Sequence, residues 1–144
     1  MKEVIKITFP SYSRNESFAR GAVSAYAIRL DPTLEELNDV KAAVSEAVTN
    51  SVVHGYPDRI GIIELSIWSE KNVLYIRVKD KGLGIADVEQ AMQPLFTTAT
   101  DGERAGLGFA VMEDFCDNVS VKSAVGKGTV VTLSKKIKSR ANNI

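Results

Sequence analysis

The sequence predicts an α/β two-layer sandwich, a mixed β-sheet with helices packed on one face. Three observations predict it. Short runs near the start, middle and end of the chain alternate apolar and polar residues, the pattern of half-buried strands. Two longer stretches open with a Ser/Thr-x-x-Glu box and carry apolar residues at helical spacing. Glycine-containing turns punctuate the second half, giving the order βααββ(α)αββ.

Val4 to Phe9 alternates Val4, Lys6 and Thr8 with Ile5, Ile7 and Phe9, and Pro10 ends that strand. Ser13-Arg14-Asn15-Glu16 fits a capping box for a helix reaching about Leu30, with Phe18, Ala22, Ala25, Tyr26 and Arg29 at helical spacing. Asp31-Pro32 breaks it. Thr33-Leu34-Glu35-Glu36 opens a second, longer helix that carries Leu37, Val40, Val44, Val48 and Val52 near one face, with Gly55 as a left-handed cap. Ile60 to Ser69 and Val73 to Lys79 read as a hairpin turning at Glu70-Lys71-Asn72. A glycine-rich loop follows from Asp80 to Ile85, then a short helix around residues 87–92. Gln93 to Ala105 reads as a long mobile connection before a helix from Leu107 to Phe115. Asn118–Ser123 and Thr129–Ser134 form a last hairpin, and residues 135–144 form a frayed polar tail.

At 144 residues the expectation is one domain spanning 1–144. Hydrophobic residues are 44% and charged residues 25%, so a packed core is expected and disorder is not. Eighteen Lys and Arg balance eighteen Asp and Glu, which argues against direct nucleic-acid binding. The lone Cys116 cannot pair within the chain and reads as a small buried hydrophobe in a reducing compartment. The charged N-terminus lacks a signal-peptide pattern and no stretch has the length of a membrane span, so a cytoplasmic protein is expected. Trp68 reads as an ordinary strand-face residue.

Three motifs carry chemistry. Glu46, Asn50 and His54, four residues apart, form a polar stripe along the long helix. An amide oxygen suits Mg²⁺, which prefers oxygen donors together with phosphates and water. A glutamate one turn away can take a proton from an attacking hydroxyl. A solvated helix face is the alternative for that spacing. Asp80-Lys81-Gly82-Leu83-Gly84 follows a strand directly. Its glycines permit close approach of a ligand, and Asp80 at the strand end suits the exocyclic amine of adenine. Gly106-Leu107-Gly108 begins a helix, whose N–H groups attract phosphate; Arg104 precedes it, and Thr97 and Thr98 offer hydroxyls from the loop. Gly126-Lys127-Gly128-Thr129 looks like the tail of a P-loop. That motif needs a glycine where Val121 stands, and a helix where a strand follows. The protein-kinase signatures are absent.

In this order the motifs resemble the Bergerat-type nucleotide-binding (GHKL) fold shared by gyrase, Hsp90, histidine kinases and MutL. More narrowly, the chain from about Asn15 to Thr129 resembles the anti-sigma-factor serine kinases of spore-forming bacteria. The phrases Asn15-Glu16-Ser17-Phe18-Ala19-Arg20, Ser45-Glu46-Ala47-Val48-Thr49-Asn50, His54-Gly55-Tyr56, Gln93-Pro94-Leu95-Phe96-Thr97-Thr98 and Gly106-Leu107-Gly108-Phe109 carry the likeness. It implies an ATP-dependent factor that sequesters a sporulation sigma factor and phosphorylates its anti-anti-sigma antagonist on serine. Glu46 would be the base, and Asn50 would hold Mg²⁺ between the phosphates. Asp80, supported by Thr129, would read adenine, and Gly82 and Gly84 would shape its pocket. Thr97, Thr98, Arg104, Gly106, Leu107 and Gly108 would belong to a lid over the phosphates. His54 would either approach the phosphates or cap the helix. The first helix, with Arg20, would be the docking surface of a homodimer for either partner.

Three rivals stay in view. A histidine-kinase catalytic domain would normally come with a dimerisation helix pair bearing the accepting histidine, and the one histidine here lies inside the ATP motif. A nucleotide-gated binding module would lack turnover. A general-stress anti-sigma kinase would share the whole pattern.

Overall fold

The computed structural model describes residues 2–92 and 100–138, and residues 100–107 by their backbone alone. Strand β1 (Ile5–Pro10) leads into helices α1 (Asn15–Ala27) and α2 (Leu34–Asn50). Then come β2 (Ile62–Glu70), β3 (Val73–Asp80), α3 (Val88–Met92), α4 (Thr100–Phe115), β4 (Asn118–Ala124) and β5 (Gly128–Lys136). The predicted order βααββ(α)αββ is the observed one, with short 3₁₀ and π turns after α1 and α2.

The sheet runs β1-β2-β3-β5-β4 and every neighbouring pair is antiparallel. The expected mixed sheet is therefore corrected. The helical crossover does bring β4 back parallel to β3, but β5 folds between them and pairs antiparallel with both. The β2–β3 hairpin turns on Lys71 and Asn72, both at positive φ (51° and 64°). That is the two-residue turn whose twist matches the flanking strands.

Strand alternation sends Ile63, Leu65 and Ile67 of β2, Leu74, Ile76 and Val78 of β3, and Val131 and Leu133 of β5 toward the helices, all buried. They meet Val40, Val44 and Val48 of α2, and Phe109 and Met112 of α4. Truncating one such leucine to alanine costs about 2–5 kcal/mol in comparable cores. Among the described residues the other face of the sheet carries no helix; there Trp68 and Tyr75 stack with ring centroids 5.3 Å apart.

The second capping box is present at both ends: Thr33 Oγ1 accepts from Glu36 N at 3.1 Å, and Thr33 N donates to Glu36 Oε1 at 2.9 Å. The first is not. Arg14 is already helical and no side chain caps α1. Glu16 turns instead toward Arg20, Nε to Oε1 3.6 Å. The buried face of α1 is also rotated from the predicted one: Ala19, Val23, Tyr26 and Ala27 are buried, whereas Phe18 is 56% exposed. The alanines let α1 come close to α2, where Ala43 and Ala47 are equally buried.

Three further expectations change. Gly55 does not adopt a left-handed conformation; α2 widens into a π turn, Ser51–Gly55, closed by Tyr56 N donating to Ser51 O at 3.0 Å. Helix α4 begins at Thr100, seven residues before the predicted start. Glycine costs a helix only about 1 kcal/mol per residue relative to alanine, so Gly102 and Gly106 do not forbid the longer helix. At the C-terminal end β5 continues through Lys136, and Ile137 is buried with its N–H donating to Asn72 O at 2.8 Å. The frayed tail does not begin at 135. Residues 139–144 lie outside the described residues.

Candidate nucleotide site

Asp80 ends the inward row of β3 and is buried, 3% exposed. Register places it beside Ile63 on one side and Thr129 on the other. Ser51 Oγ donates to its Oδ2 at 2.8 Å. Gly82 N and Thr129 N donate to Oδ1 at 3.0 and 3.2 Å. All three neighbours donate, so the carboxylate serves as an acceptor, with lone-pair positions beyond those three. That is the complement of an exocyclic amine and not of a carbonyl.

Glycines make room for this arrangement. A Cβ on Gly82 would stand 2.0 Å from Gly55 O, and one on Gly84 (φ +78°) 2.0 Å from Ala124 O. A Cβ on Gly55 would press on the Asp80 carboxylate at 3.0 Å. Gly55 thus owes its place to Asp80, not to a helix cap. The loop is laced down by Leu83 N donating to Gly55 O (2.9 Å), Lys81 N to Tyr56 Oη (2.7 Å) and Gly126 N to Leu83 O (2.8 Å). Thr129 Oγ1 shares a 2.7 Å hydrogen bond with Ser123 Oγ, which also accepts from Ile85 N at 2.7 Å.

Beside Ser51, Glu46, Thr49 and Asn50 of α2 and His54 of the π turn line a crevice of about 10 Å³. The predicted stripe is thus assembled, although His54 reaches it through the π turn and not by regular helical spacing. Asn50 is buried, 8% exposed. Helix α4 crosses over this crevice: a Cβ on Gly108 would lie 3.3 Å from Glu46 Oε2. Gly106 and Leu107 lie inside α4 and do not start a helix, so the predicted array of free N–H groups is not at that point. Arg104 is placed in α4 by its backbone, and Thr97 and Thr98 lie outside the described residues.

Sequence reasoning missed Ser51, Ser123, Gly55 as a contact of Asp80, and Tyr56. Ser51 follows Asn50 directly, and its only signal was that position next to a predicted site residue. Ser123 gave no signal, because its partners are Ile85 of the glycine loop and Gly128 and Thr129 on the facing strand, which only the register brings near.

Among the described residues no group of three or more His, Cys, Asp and Glu side chains is placed to hold a metal. A single amide ligand at Asn50 fits an ion that completes its shell with substrate phosphates and water, as Mg²⁺ does. No helix among the described residues is long and apolar enough to cross a membrane.

An acceptor carboxylate held at the end of an antiparallel sheet, with a Glu…Asn helix beside it, defines a class of nucleotide-binding domain. The sequence model of the family described as histidine kinase-like ATPase domain matches residues 9–135, and the chain belongs to that family. Within it the chain is similar to proteins named anti-sigma F factor. It is 53% identical over 136 residues to that of Thermoanaerobacter sp. (strain X514), covering 94% of this chain and 95% of the relative. It is 50% identical over 143 residues to that of Geobacillus kaustophilus (strain HTA426), covering 98% of each. For the anti-sigma F factor of Clostridium acetobutylicum the figures are 48% over 136 residues, 94% and 95%. Among solved structures, the histidine kinase domain of the Erythrobacter litoralis EL346 blue-light activated histidine kinase superposes with a TM-score of 0.55 at 19% identity. The match covers 90% of this chain and 62% of that one, and shows the fold alone.

Proposed function

We propose that the chain is an ATP-dependent anti-sigma factor of the sporulation type, a cytoplasmic serine kinase working as a single domain. It binds an RNA polymerase sigma factor and phosphorylates an anti-anti-sigma protein on serine. The observation that carries this reading is the run of α2 itself. Glu46 and Asn50 line one crevice, and the next residue, Ser51, is hydrogen-bonded to Asp80. A single helix end thereby links a base-reading acceptor to a carboxylate placed for proton transfer.

In this reading Asp80 accepts the adenine amine, backed by Thr129, while Gly82 and Gly84 let the backbone approach the base. Asn50 offers its amide oxygen to Mg²⁺, which when bound neutralises phosphate charge. His54 stands at the end of the same crevice. Thr97, Thr98, Arg104, Gly106, Leu107 and Gly108 form the lid segment. Glu46 takes the proton of the partner's serine hydroxyl as that oxygen bonds to the γ-phosphorus and the bond to ADP breaks. Phosphoryl transfer asks mainly for such positioning and charge stabilisation. The chain acts as a homodimer that docks its partners on α1. Arg20 there has a side chain 40% exposed, and Phe18 and Ile28 are apolar and open to solvent. Phosphorylation of the docked serine releases the partner by adding charge to the interface.

The test is incubation with γ-labelled ATP, Mg²⁺ and a candidate anti-anti-sigma protein. Label on a partner serine, lost in Glu46→Ala, is the expected result. ATP binding without transfer to any candidate would leave a nucleotide-gated binding module.

A further inference from the structure

We propose that the helix-free face of the sheet is a docking surface for an acidic polypeptide segment, separate from the nucleotide site. Strand register builds this face in rungs. One rung crosses the sheet as Lys6, Ser66, Arg77, Thr132 and Ser120; the next runs through Glu64, Lys79, Val130 and Lys122. All of these except the buried Ser66 line a groove of about 440 Å³. It shares Glu64 and Lys79 with a second groove of about 570 Å³, to which Arg59 and Lys81 contribute.

Among the described residues Glu64 is the only carboxylate lining either groove, and it pairs with Lys6 at 3.9 Å. Lys79, Lys81 and Lys122 form no ion pair with a described residue and are exposed. Ser66 Oγ is buried in the same rung without a hydrogen-bond partner. The chain as a whole is neutral, so this positive excess is local, and acidic residues such as Glu35 and Glu36 concentrate in α2 on the other layer.

The occupant is acidic because the groove offers cations and hydroxyl donors and almost nothing for a cation to meet. A polypeptide is favoured over nucleic acid by the aromatic pair at the end of the groove. Trp68 and Tyr75 stack on each other, and Lys2 and Arg77 lie over the indole at 4.8 and 4.9 Å. Trp68 is only 6% exposed, which leaves no ring face on which a base could stack. Two copies of this face would meet like charge to like charge.

The test uses the full chain and a fluorescent poly-L-glutamate of about twenty residues, read by anisotropy at 50 and 150 mM salt. The comparison is Lys79→Glu/Lys122→Glu, with Lys41→Glu on α2 as a control of equal charge type. The expected result is binding that weakens at least tenfold in the double variant and less than threefold in the control, with ATP affinity unchanged in both. Equal loss in both variants, or none in either, overturns the proposal. So does tighter binding of a single-stranded oligonucleotide of equal charge that is lost in the same double variant. A change from dimer to monomer on Lys79→Glu/Lys122→Glu, in sedimentation, would assign the face to a second copy and equally overturn it.

Discussion

The two ends of the candidate site are built in different ways. At the Asp80 end the carboxylate is fixed by three donors, and the glycines around it leave no room for even a methyl group. At the Glu46 end side chains of α2 and the π turn line a small crevice, and Gly108 of α4, a helix from a distant part of the sequence, stands beside Glu46. The first end is fixed by contacts within its own loop, strand ends and the π turn. The second depends on a separate element, which under the proposed kinase reading would let a lid open and close over the phosphates.

The largest effect should come from filling the rigid end. Gly82→Ala sets a methyl 2.0 Å from Gly55 O and should abolish measurable ATP binding in calorimetry. Gly21→Ala, where nothing lies within 4 Å, should leave it intact. If both behave alike, the close packing at Asp80 is not what shapes the pocket. Next is the chemical end: Glu46→Ala should reduce phosphoryl transfer by about 10²–10⁴-fold, the usual worth of a general base, while ATP affinity stays within about threefold. Loss of affinity as well would make Glu46 structural. Arg20→Glu should weaken protein partners and leave ATP affinity unchanged, since Arg20 neither lines the crevice at Glu46 nor bonds to Asp80.

Smaller effects test the frame. Thr33→Ala should cost about 1 kcal/mol in urea unfolding through loss of the cap. Burial pushes the Glu36 carboxyl up, but donors from Lys138 N, Thr33 N and the Thr33 hydroxyl, with Lys135 nearby, outweigh it and hold the group below its ordinary value. Its contribution is therefore complete above the unfolded pKa, near the ordinary glutamate value, and is lost as pH falls through the lowered folded one. The stability gap between wild type and Glu36→Gln should shrink on moving from pH 7 toward pH 3. Cys116 should be the mildest probe. Burial pushes its thiol up to about 11, against an opposing pull from Lys135, so alkylation at pH 8 should be slow and should accelerate only toward that pH.

Much of this was legible in the chain because it rests on local pattern. The period-2 runs gave the strands, the Thr33 box gave the start of α2, and Asp80 before two glycines marked the carboxylate that ends β3 and the tight turn after it. What was not legible depended on tertiary partners. Whether the sheet is mixed turned on where β5 inserts. The buried face of α1 turned on small residues meeting α2, which hydrophobic periodicity under-weights. Ser51 and Ser123 are ordinary serines until the register of β3, β4 and β5 brings their partners near. The early start of α4 escaped because glycine and threonine signal a loop when neighbours are unknown.

The most direct test of the central claim is titration of the protein with ATP and GTP, in parallel with Asp80→Asn. The account predicts that wild type prefers ATP by at least tenfold and that Asp80→Asn loses ATP affinity while GTP is little changed, closing the gap. Equal weakening of both nucleotides, or no preference in wild type, would contradict the assignment of Asp80 as the reader of adenine.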